Sequence, residues 1–131
     1  MTIKNKYLIV YLILITICGG LILCRWINSI YPSIMLLPGV LHLHVTNFAL
    51  CMMFLLIFGY IVLFYGGKMK IITIAAIIVA ILNIVYECFI PMLNTSDIWD
   101  AVSGVAGIAI AYVYLAMLKK NGLTVKQGKS D

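Results

Sequence analysis

Hydrophobic residues in this chain come in long unbroken runs, not in the alternation of a half-buried strand or the three-and-four spacing of a surface helix. Four runs, residues 7–24, 41–65, 71–91 and 98–118, each reach the ~17–25 residues that a helix needs to cross ~30 Å of hydrocarbon. The pattern predicts an all-α fold: a polytopic membrane protein built as a four-transmembrane-helix bundle, one membrane domain over residues 1–131. Residues 119–131 are expected to form a short polar tail. Gly66, Gly67, Lys68, Met69 and Lys70 make a tight basic turn between the second and third runs. Between the first and second, residues 30–39 are apolar but too short to span, and Pro32 and Pro38 break any helix there. That segment is expected to lie in the interface or dip back as a lid.

Composition supports lipid as the solvent. The chain is 65% apolar and 10% charged, whereas soluble domains sit near half apolar and a quarter charged. The net charge of +5 is not a nucleic-acid signal, because the basic residues sit at segment ends. In a four-span arrangement Lys4, Lys6, Lys68, Lys70, Lys119, Lys120, Lys126 and Lys129 share one side, and Arg25 alone takes the other. The positive-inside rule then puts both termini in the cytoplasm. Trp26, Tyr31, Tyr86 and Trp99 would mark the outer interface, and Tyr7, Phe64 and Tyr65 the inner one. Lys4 and Lys6 before an apolar run resemble a signal peptide, but no A-x-A-like site follows, so the first helix is expected to stay. Cys18 and Cys51 fall inside the runs. Cys24 and Cys88 fall near the ends at one face, where buried free thiols are the plain reading and a Cys24–Cys88 bridge the alternative.

The informative residues are the ionisable ones inside or beside the spans: Arg25, His42, His44, Glu87, Asp97 and Asp100. All map to the outer end of their segments, from separate stretches of sequence. A shared polar pocket accounts for this better than coincidence does. A charge at the bilayer centre costs about 2.5–3.5 kcal/mol on insertion scales, and less toward the interface. Glu87 should therefore face the bundle, either protonated or paired with Arg25 or a histidine, and Asn83 one turn earlier extends the stripe. A hydrogen-bonded structural carboxyl is the plainer account of Glu87. Asp97, or Ser96, suits an N-cap of the fourth helix. Asp100 sits above Ser103, Gly104, Gly107 and Ala111, small residues whose spacing lets another helix approach closely, which favours Asp100 facing Glu87.

His42 and His44 point about 200° apart on a helix. A metal site from these two with Glu87 and Asp100 is conceivable, but the spacing is not diagnostic. One histidine bonded to a bundle acid is the favoured reading, and no metal or cofactor is assigned. Asn94, Thr95 and Ser96 fit a glycosylation sequon, a weak signal so close to the membrane. No phosphate-binding glycine loop, nucleophile elbow or HExxH motif occurs, so the reading leans away from an enzyme.

Glu87, Cys88, Phe89, Ile90 and Pro91, then a short turn, then Asp97, Ile98, Trp99 and Asp100 with Gly104 and Gly107 following, resemble the VanZ-like family. The His42-Leu43-His44 entry to the second span resembles that family's histidine before an aromatic-rich helix. The resemblance covers residues 42–118. It departs in lacking an arginine between Met92 and Ser96 and in a Pro91-to-Asp100 spacing one residue longer. YjdF-like membrane proteins carry a similar acid-turn-DxWD pattern. The resemblance implies a bacterial envelope protein at the outer face of the cytoplasmic membrane, in a family associated with low-level resistance to teicoplanin. The expected ligand is a lipid headgroup, cell-wall precursor or small amphiphile, bound through Glu87, Asp100, His42, His44, Arg25, Asp97 and Asn83. The alternatives are a non-catalytic partner subunit or homo-oligomer packing through the small-residue face, and a membrane enzyme or ion or proton pathway. A pathway would need polar groups deeper than Asn83, Thr73 and Asn47.

Overall fold

The computed structural model describes residues 2–31, 33–34, 36, 39–89 and 98–124, without the side chains of 40–43 and 88–89. Its elements are β1 (Thr2–Ile3), α1 (Asn5–Ile30), α2 (Gly39–Phe64), α3 (Met69–Phe89), α4 (Ile98–Met117), a π-helical turn (Leu118–Gly122) and β2 (Leu123–Thr124). The four α-helices are each long and apolar enough to cross a membrane, the arrangement of a multi-pass membrane protein.

Two boundaries differ from those read in the sequence. α1 does not stop at Cys24 but runs on to Ile30, which carries Arg25 and Trp26 on a helix and not in a loop. Residues 25–30 contain neither Pro nor Gly, so nothing in them breaks the helical ladder. α3 is described as far as Phe89; Pro91, where the sequence reading ends it, lies outside the described residues. The supposed tail is ordered at its start: Leu118–Gly122 winds on as a π turn, and Leu123–Thr124 pairs antiparallel with Thr2–Ile3.

α2 is the hub. Beyond Asn47 it is apolar on nearly every side, and it packs on α1, α3 and α4, most extensively on α4. Ala49, Met52, Leu55, Leu56 and Leu63 of α2 are buried, with Ile72 and Ala76 of α3 and Ile108, Ala111 and Leu115 of α4 in the same core. Glycines set the α2–α4 distance. A β-carbon on Gly107 would run into the Phe48 backbone carbonyl, and one on Gly59 into the Leu115 side chain. Helices in lipid gain little from hydrophobic exclusion, so such close backbone contact supplies the attraction.

α2 ends in a glycine cap. Gly66 takes φ 80°, and the bonds Gly66 N–H to Leu63 O (3.0 Å) and Gly67 N–H to Val62 O (2.8 Å) form a Schellman closure. The chain then reverses into α3. At this basic end a clasp joins the two ends of the fold: beside the β1–β2 pair, Lys4 N–H donates to Gly122 O (2.9 Å) and Tyr114 Oη to Tyr7 O (2.7 Å).

Candidate polar site at one end of the bundle

Antiparallel packing brings the C-terminal ends of α1 and α3 beside the N-terminal ends of α2 and α4. A helix repeats every 3.6 residues, so His44, Thr46 and Asn47 fan out from one turn of α2. Each reaches a different neighbour. His44 Nδ1 lies 2.8 Å from Asp100 Oδ1 on α4. Thr46 Oγ1 accepts from Arg25 Nη1 on α1 at 2.7 Å. Asn47 Nδ2 donates to Glu87 Oε1 on α3 at 2.6 Å.

A second layer lies below. Asn83 Nδ2 donates to the Ala101 carbonyl (2.9 Å), and its Oδ1 takes the Cys51 thiol at 3.7 Å, so this one amide ties α3 to both α4 and α2. Gly104 makes room for it, since a β-carbon there would strike the Asn83 amide. Ser103 Oγ, shared between the His44 carbonyl (3.0 Å) and the Asp100 carbonyl (2.9 Å), closes the α2–α4 side. No buried side-chain nitrogen or oxygen among the described residues is left without a partner, as a low-dielectric interior demands.

Glu87 is 3% exposed, whereas the side chains of His44 and Asp100 keep 20% and 17%. The dyad thus keeps some accessible surface, whereas the glutamate is closed off. With Nδ1 on the carboxylate, the imidazole presents Nε2 as its second polar atom. The arrangement offers two carboxyls, an imidazole and a guanidinium within a few side-chain lengths of one helical turn.

Each of the two carboxyls that the sequence suggested would face each other is bonded to α2, Glu87 through Asn47 and Asp100 through His44. Asn47 and Thr46 were not read as site residues. Their one available signal was falling in the same turn as His44. His42 lies on α2 with its side chain outside the described residues; Asp97, Ser96 and the Asn94 sequon are outside them altogether. Cys24 is a free thiol, so the Cys24–Cys88 bridge does not form. Among the described residues no three His, Cys, Asp or Glu side chains gather as metal ligands would. Gly104, Gly107 and Ala111 are buried against the chain's own α2 and α3.

The network stops at an apolar layer. Met52, Leu55, Leu56, Ala76, Ile108 and Leu115 fill the bundle below Asn83. Among the described residues, side-chain hydrogen bonds resume toward the basic end, where Thr73 meets Tyr112 (2.9 Å), and there Tyr11 also stacks on Tyr60.

No protein family, no curated protein and no solved structure matches this chain. The geometry of the chain itself carries the functional reading.

Proposed function

We propose that this chain is a VanZ-like, multi-pass protein of the bacterial cytoplasmic membrane that holds the polar head of a membrane-borne ligand. That ligand is a lipid headgroup, a cell-wall precursor or another amphiphile. Its polar end faces outward and its termini lie in the cytoplasm, as the concentration of lysines at the opposite end favours.

The observation that carries this reading is the single turn of α2 that gathers Asp100, Arg25 and Glu87 from three different helices. Ionisable groups at membrane depth are costly and mark sites of binding or transport. The apolar layer beneath them favours binding at one face over passage through the protomer. Groups of both signs suit a head that carries both donors and acceptors. Asp100 and His44 would meet it first, with Glu87 behind them.

The test is teicoplanin susceptibility of a sensitive Gram-positive host expressing the chain, alongside retention of lipid-linked precursors by the purified protein. The parent chain should raise the inhibitory concentration, and Glu87→Gln and Asp100→Asn should return it to baseline at unchanged membrane abundance. Parent-like resistance and retention in both variants would overturn the proposal.

A further inference from the structure

A second feature lies at the other end of the molecule and does not depend on the polar site. α1 packs mainly on α2 and is joined to α4 by the terminal clasp. Above the clasp the two helices leave a crevice of about 420 Å³ that opens toward the lipid. Val10 and Leu14 of α1 form one wall, and Ala109, Val113 and Met117 of α4 the other, with the buried Tyr114 ring between them. The Tyr114 hydroxyl donates to the Tyr7 carbonyl, so the ring turns its apolar surface to the crevice. From Ala109 to Met117 the crevice follows α4 for about 12 Å, close to the depth of one leaflet of a ~30 Å hydrocarbon core.

Its mouth is basic. Lys6, Val10 and Leu14 succeed one another at four-residue intervals and so share one stripe of α1, with exposed Lys6 at its end. Lys120, also exposed, follows Met117 in the π turn. Lys119 reaches the other way, to the Gly67 carbonyl at 3.4 Å. The described acids, Glu87 and Asp100, belong to the opposite end, so these ammonium groups face no described carboxylate at the mouth.

We propose that this crevice is a site for one anionic phospholipid, an acyl chain lying between α1 and α4 and the phosphate between Lys6 and Lys120. Apolar walls of one-leaflet depth below paired cations match that molecule at both of its ends. The inference rests on the helices spanning a bilayer, and not on the ligand of the polar site.

The experiment uses the full chain in bilayers of equal phosphatidylglycerol and phosphatidylcholine, extracted gently, with retained lipid counted by native mass spectrometry. One phosphatidylglycerol should be retained in preference. Lys6→Gln with Lys120→Gln should lower its retention roughly fivefold per lysine, at about 1 kcal/mol for each charge near the surface, without changing phosphatidylcholine. Ala109→Trp and Val113→Trp, at exposed positions, should fill the crevice and release both lipids while the melting temperature stays near the parent's. An equal loss of preference in Lys68→Gln with Lys70→Gln would assign the effect to overall charge and overturn the proposal. So would full retention in either tryptophan variant that melts like the parent.

Discussion

His44 and Asp100 hold each other across the α2–α4 seam, both partly exposed, and their bond is the residue-scale feature most open to measurement. Side-chain hydrogen bonds between membrane helices contribute about 0.6 kcal/mol on average and up to ~1.7 kcal/mol. A double-mutant cycle of His44→Gln and Asp100→Asn, read from unfolding in detergent, should return a coupling of about 0.6–1.7 kcal/mol. A coupling indistinguishable from zero would mean that the two side chains do not act as a pair. The polar positions themselves were legible in the sequence, since Glu87, Asn83, Asp100 and His44 interrupt apolar runs where polarity is expensive. Their partners were not. A helical face says which way a side chain points but not which of three neighbours waits there. Asn47 was noted only as a polar group within a span, and Thr46 not at all, because an amide or hydroxyl there costs far less than a charge.

Among the elements, the glycines of α1 and α4 look alike in the sequence and differ in what surrounds them. Gly107 is pressed against the Phe48 carbonyl, whereas a β-carbon on Gly19 or Gly20 would meet nothing within 4 Å. Gly107→Ala must therefore push α2 from α4, and should cost about 1–3 kcal/mol as overpacking usually does. Gly19→Ala and Gly20→Ala should be neutral or stabilise by up to about 1 kcal/mol through helix propensity. Thermal unfolding of the three variants in one detergent decides the matter. Equal effects would contradict the packing described for α4. The helices were legible because twenty apolar residues in a row leave a chain in lipid few other ways to satisfy its backbone. Their ends were less so. α1 runs on to Ile30 through Arg25 and Trp26 because a polar residue near a helix end does not by itself stop the helix. The π turn and two-residue strands are too short to leave any periodic trace.

For the whole molecule, charge and contacts make separate demands on topology. The four spans put the Gly66–Gly67 turn and the clasp at one end and Tyr31, Ser33, Ile34 and Leu36 at the other. In Lys68→Cys and Lys120→Cys, a membrane-impermeant thiol reagent should label the new site from the same face. In Ser33→Cys it should label from the opposite one. Labelling of all three from a single face would be incompatible with this bundle. Seen at this scale, α2 reaches each of the other three helices, and the polar layer, the apolar layer and the clasp succeed one another along its length.

The clasp has a consequence of its own. Thr2 and Thr124 share hydrogen bonds across 122 positions of chain, and two segments so joined must lie in one aqueous compartment. The number of crossings between them is then even, a parity rule that no tally of lysines enters. The contact also comes late in synthesis: Thr2 and Ile3 have no partner strand until Leu123 and Thr124 have left the ribosome, so closure of α1 onto α4 has to wait for all four helices.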